Sequence, residues 1–129
     1  MAHYVMIGDI YNIKFILPNI GEAEGELIRI RGPHLTELMN RELPINSRGL
    51  KRENLFLIPV NFIYAIEKPT TTAKRGDIVF EPKSKAIIIL LEDRKFDSKI
   101  AAIGSIVKNL KMFDKLSQST GVRIESLNE

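Results

Sequence analysis

The chain has 129 residues, 44% hydrophobic and 27% charged, with 19 basic against 16 acidic side chains for a net charge of +3. That length fits one domain with a core of its own, and this balance excludes a disordered chain. The absence of cysteine excludes a disulfide scaffold, a thiolate zinc site and a cysteine nucleophile, and so small a positive charge is no nucleic-acid signature.

Residues 1–9 hold neither a basic n-region nor a long apolar run, so no secretory signal is expected. Tyr11, Ile13, Phe15 and Leu17 alternate with Asn12, Lys14 and Ile16, which predicts a half-buried strand. Residues 18–25, with Asn19, Gly21 and Gly25, read as a break, and residues 27–31 as a second strand paired to the first. Gly32-Pro33 opens a helix, because proline at the first helical position loses no hydrogen bond. Leu35, Leu38, Met39 and Leu43 give it an apolar face, and it ends near Pro44.

Residues 45–53 are polar and basic and read as a loop. Strands are predicted over 55–60, 62–66, 78–80 and 86–91, all rich in β-branched and aromatic residues. The last of these shows no polar alternation, so it should be buried on both faces. It is also the longest apolar run, and it is far too short to cross a bilayer. Another strand is predicted over 100–107, then a short helix through Leu110, Phe113 and Leu116, ended by Gly121 before a last strand at 122–124. The whole is one mostly β domain over 1–129, a closed barrel of about eight strands with two short capping helices. It is expected to be soluble and cytoplasmic.

Chemistry is sparse. There is no Gly-x-Gly-x-x-Gly and no phosphate loop. His3 and His34 lack partners at ligand spacing, so no metal and no cofactor are expected. Glu22 with Glu24, and Glu92 with Asp93, read as solvated neighbours, and Asp77 as a turn residue. Glu81, between Phe80 and Pro82 at a strand end, is a candidate site residue. Basic residues gather at Arg48, Lys51 and Arg52, at Lys74 and Arg75, and at Lys83 and Lys85. They read first as a salt-bridged surface, with phosphate binding as the alternative. Tyr4, Tyr11 and Tyr64 are either strand residues with a wet hydroxyl or surfaces for base stacking.

The run Asp97-Ser98-Lys99-Ile100-Ala101-Ala102-Ile103-Gly104-Ser105-Ile106 resembles a segment of the cyclophilins, as does the order of elements around it. Pro59-Val60-Asn61, Gly76-Asp77-Ile78 and Ile103-Gly104-Ser105-Ile106-Val107 are similar to features of an uncharacterised prokaryotic group with a cyclophilin-like fold. The likeness covers residues 12–124 and implies a cyclophilin-like barrel, with residues 1–9 as an extra N-terminal strand. The group's Trp-Pro-Pro-Gly turn is replaced by Glu81-Pro82-Lys83-Ser84. The cyclophilin catalytic set is missing too. Phe56 stands where the catalytic arginine would be, Ile63 or Tyr64 near the glutamine, and Ile100 at the histidine. A phenyl ring cannot donate a hydrogen bond to a prolyl amide.

The leading expectation is therefore a non-enzymatic domain that binds a small molecule or peptide. Phe56, Asn61, Phe62, Tyr64, Glu81 and Phe96 are the candidate ligand-binding residues, an apolar floor with a few polar groups. The opposing reading puts Phe56 and Phe62 in the core and gives Asn61 a turn. A prolyl isomerase with a degenerate site and a homo-oligomeric interaction module built on residues 2–7 are the alternatives. Neither a membrane nor nucleic acid is an expected partner. Abundant isoleucine, a single glutamine and frequent charges of both signs lean towards a thermophilic source.

Overall fold

A computed structural model describes residues 9–127; His3, Tyr4 and the strand expected before Asp9 lie outside them. In chain order the elements are β1 (Ile10–Leu17), β2 (Gly21–Ile28), a 3-10 turn (Arg29–Arg31), α1 (Pro33–Arg41), β3 (Ile45–Arg52), β4 (Leu55–Pro59), β5 (Thr70–Ala73), β6 (Asp77–Glu81), β7 (Ala86–Leu90), β8 (Arg94–Lys108), α2 (Lys111–Asp114) and β9 (Thr120–Ser126). Eight strands pair antiparallel in the order β2-β1-β9-β3-β4-β7-β6-β8, and β2 pairs again with β8 to close a barrel. The ninth strand, β5, lies outside the barrel on the first half of β8.

The predicted alternation holds in β1, where Ile13, Phe15 and Leu17 are buried and Asn12, Lys14 and Ile16 are not. The stretch read as a break is instead most of a strand. Only residues 18–20 turn, and β2 pairs with β1 along its whole length. Its inward residues are Ala23, Gly25 and Leu27, its outward ones Glu22, Glu24 and Glu26. The alternation is present, but in small residues that hydropathy does not register. The chain then leaves the sheet early, and Ile30 is 72% exposed in the 3-10 turn.

The loop expected over 45–53 is β3, for a similar reason. Its inward positions include Gly49, which is small because the Phe56 ring lies on it. A Cβ at Gly49 would stand 2.0 Å from Phe56 Cζ. Conversely, residues 62–66, predicted as a strand, form none. They cross the rim of the barrel as an irregular segment.

Strand β7 is buried on both faces as predicted. Ile87 and Ile89 join the barrel interior, with Phe15, Phe56, Phe80 and Phe113. Ala86, Ile88 and Leu90 face outwards and meet Leu55, Val79, Phe96 and Ile100 in a second, smaller cluster. The first half of β8, together with Ala73 of β5, covers that outer face.

The helices close the two ends. Helix α1 follows the Ile28 end of β2 and buries Leu35, Thr36 and Met39. Helix α2 seals the other end, where its Phe113 ring packs 6.0 Å from Phe15 and 5.2 Å from Phe56. Arg75 ties α2 to the barrel: its guanidinium donates to both carboxylate oxygens of Asp114, at 3.0 and 2.6 Å, and to Leu91 O at 2.7 Å. Lys51 Nζ adds a bond to Leu116 O at 2.9 Å.

The closing seam imposes the tightest steric condition. A Cβ on Gly104 would stand 1.9 Å from the carbonyl oxygen of Glu26 on β2. Gly121, by contrast, has nothing within 4 Å of that position. Gly104→Ala should cost about 3 kcal/mol or more, since backbone faces backbone and neither can yield. Gly121→Ala should stay within about 0.5 kcal/mol. Urea unfolding of both variants checks this, and equal midpoints would refute the account of the seam.

The hydrogen bond from Arg75 holds the Asp114 carboxyl below its ordinary value of 3.8. A depressed carboxylate stabilises the fold at pH values above the unfolded value and loses that contribution as pH falls through the folded one. The pair is about two-fifths exposed, so screening limits it to roughly 0.5–1 kcal/mol. The stability difference between the wild type and Asp114→Asn should therefore be present at neutral pH, decline as pH falls below 3.8 and vanish below the lowered folded-state value. Thermal melts along a pH series measure it.

Candidate functional site

Beyond β4 the chain cannot continue as a sheet strand, and residues 60–69 are instead pinned across the α1 end of the barrel. Val60 N–H bonds to Lys85 O at 2.9 Å. The Phe62 ring is 9% exposed, stacked between Tyr64 at 5.1 Å and Phe80 at 6.0 Å. The Tyr64 hydroxyl donates to the Glu42 carboxylate just past α1. That bond raises the phenol's pKa above its ordinary value, helped by burial and by the Glu42 charge, with Arg41 opposing. Lys68 Nζ reaches Ile30 O at 2.7 Å.

Glu67 provides a fifth anchor. Helix α1 begins after Gly32, which has no side chain to cap it. The Glu67 carboxylate supplies the cap from 32 to 33 residues away, accepting from Leu35 N–H at 2.8 Å and His34 N–H at 3.0 Å. His34 itself is exposed, and no metal-binding group of acidic residues and histidines forms among the described residues.

This bracing shapes a groove of about 450 Å³ where the start of β3 meets the end of β4. Its walls are Pro44, Pro59, Val60 and Phe62, and its polar groups come from Glu42, Asn46, Ser47 and Asn61. Ser47 Oγ is committed to Pro59 O at 2.6 Å, and Asn46 Oδ1 accepts from Arg123 at 3.1 Å. Asn61 is exposed, and its side-chain amide has no hydrogen bond to other described residues. Its amide is therefore uncommitted within the groove.

The six candidates from the sequence thus fall in three places. Asn61 and Phe62 line this groove, and Tyr64 fixes its wall. Glu81 and Phe96 line a second groove of about 590 Å³ on the outer face of β4 and β7. There Glu81 accepts from Ser84 Oγ at 2.5 Å and Ser98 Oγ at 3.2 Å, tying the turn before β7 to β8. Phe56 is in neither: it is 0% exposed inside the barrel, where no ligand at the surface can reach it. Sequence reasoning missed Glu42, Asn46 and Ser47, because it read residues 45–53 as a loop and had no partner for Tyr64.

The basic groups also divide. Arg75 and Lys51 hold α2, and Lys83 pairs with Asp97 at 3.8 Å, as a salt-bridged surface would have it. Arg52 and Lys74 instead line open concavities. Asp77 accepts from Lys74 N–H at 2.9 Å, the turn role expected of it.

No protein-family model and no curated protein matches the chain. Among solved structures it is similar to the hypothetical protein AF2241 from Archaeoglobus fulgidus, with a TM-score of 0.74 at 20% identity over 92% of this chain and 95% of that one. It is also similar to McbB, solved in complex with tryptophan, with a TM-score of 0.74 at 18% identity. That match covers 91% of this chain but 45% of McbB, so the chain spans under half of that protein. At these identities the likeness is one of fold. No helix among the described residues is long and apolar enough to cross a membrane.

Glu67→Ala should cost about 1 kcal/mol, the usual value of a helix N-cap. Because the same carboxylate anchors residues 60–69, amide exchange should rise together in α1 and around Phe62. A rise confined to α1 would show that the segment is held without it.

Proposed function

We propose that the chain is a non-catalytic binding domain of cyclophilin-like type whose ligand, a small molecule or peptide segment, seats in the groove beside Asn61 and Phe62. The observation that carries this reading is the uncommitted Asn61 amide set between Pro59 and the braced Phe62 ring. Apolar walls with a few convergent polar groups are the usual make-up of a small-ligand site. The groove's volume of about 450 Å³ suits an amino-acid side chain with its flanking backbone. McbB, which shares this architecture, holds tryptophan. A flat apolar side chain, aromatic or prolyl, is the ligand that Pro44, Pro59 and Phe62 would favour.

Against catalysis stands the interior position of Phe56. No donor at that position can polarise a prolyl amide.

The test is a heteronuclear NMR titration of the full chain with L-tryptophan and with a short proline-containing peptide. Shifts should centre on Asn46, Ser47, Asn61 and Phe62. Asn61→Ala should weaken binding about fivefold to tenfold, the loss of one neutral hydrogen bond of roughly 1–1.5 kcal/mol. Its melting temperature should not move, since Asn61 is exposed. Shifts elsewhere, or equal binding by the variant, would sink the groove. A protease-coupled proline-peptide assay should show no acceleration; acceleration that persists through purification and disappears in Asn61→Ala would make the domain an isomerase.

A further inference from the structure

A different face of the molecule gathers cationic side chains that take part in no ion pair among the described residues. The outer ribbon of β5 and β8, with the 3-10 turn beside it, forms a shallow, open concavity of about 730 Å³. Four cationic side chains line it: Arg31, Lys74, Arg94 and Lys95. None of the ion pairs formed among the described residues involves any of the four.

Two carboxylates share the concavity, Asp77 and Asp93, but both are turned to backbone duty. Asp77 accepts from Lys74 N–H and Asp93 from Arg75 N–H, each at 2.9 Å. They stabilise the turn between β5 and β6 and do not pair with the cations. The Arg94 guanidinium is not loose, because it lies 5.1 Å over the Phe96 ring. Ala73 and Ala102 complete the lining. Four cations against two carboxylates leave the concavity a net positive charge, which raises the local concentration of anions.

We infer that this concavity is a second ligand site, which takes a phosphorylated small molecule. Arginine forks bind phosphate oxygens bidentately, and lysines add point charge, so the donor set matches a group carrying two or more negative charges. Nucleic acid fits less well. The cations line an open hollow of small-molecule size, and Phe96, at 6% exposure, offers no face for a base to stack on.

The probe is inorganic pyrophosphate, titrated into the isotope-labelled full chain, with a single-stranded oligonucleotide in a parallel titration. Saturable one-to-one shifts are expected at Thr72, Ala73, Lys74 and Ala102. Arg94→Gln and Lys74→Gln are both surface changes that leave the core intact, and each should weaken pyrophosphate binding about tenfold, as the loss of a charge-assisted bond does. Lys115→Gln, outside the concavity, should change nothing. Failure to saturate at millimolar pyrophosphate, or equal affinity in all three variants, overturns the site. Tighter binding of the oligonucleotide, with steep salt dependence, overturns the small-molecule assignment.

Discussion

The pairing of β2 with β8 is the contact on which the rest of the molecule depends. Without it the eight strands form an open sheet with two free edges and an interior exposed to water. With it, the alternation of every strand acquires a fixed inside and outside. Closure requires the two backbones to come closer than any Cβ on Gly104 would allow. Gly25, also on the seam, has Ile78, Ser105 and Phe15 around it, so β2 carries little bulk where the barrel is narrowest.

Closure also determines where binding can occur. The interior is filled by its own side chains, with Phe15, Phe56 and Phe113 packed towards α2 and Leu35, Met39 and Phe62 towards α1. Recognition is therefore left to the rim and the outer face. At the rim, a segment without regular structure is braced by Phe62, Tyr64 and Glu67, so its exposed Asn61 is held by a rigid support although it lies outside any strand. On the outer face, the first half of β8 covers a small apolar cluster and leaves charged grooves beside it.

The two proposed sites are chemically unlike. One has prolines, a ring and an uncharged amide; the other has four cations round a hollow. They rest on different elements, α1 with β3 and β4 in one case and β5 with β8 in the other. Loss of either by substitution should therefore leave the other intact.

By itself the sequence determined the class of fold. The alternation in residues 11–17, the doubly apolar run at 86–91, Gly-Pro before a helix and the apolar spacing around Phe113 all correspond to elements of the barrel. These signals are local: each depends on a period of two or of 3.6 within one segment. Residues 21–26 and 45–52 were illegible because inward positions such as Ala23, Gly25 and Gly49 are small, for the sake of neighbours far away in sequence such as Phe56. Residues 62–66 failed in the opposite way. They have strand composition, yet bonds from Tyr64 and Lys68 and to Glu67 hold them across the rim without a strand partner. The site candidates divide on the same line. Asn61 and Phe62 were marked by composition, whereas the interior placement of Phe56, the Tyr64–Glu42 bond, the Glu67 cap and the ring of Arg31, Lys74, Arg94 and Lys95 were decided by tertiary structure alone. Each of these joins residues that only closure of the barrel brings together, and no local period records such a pairing.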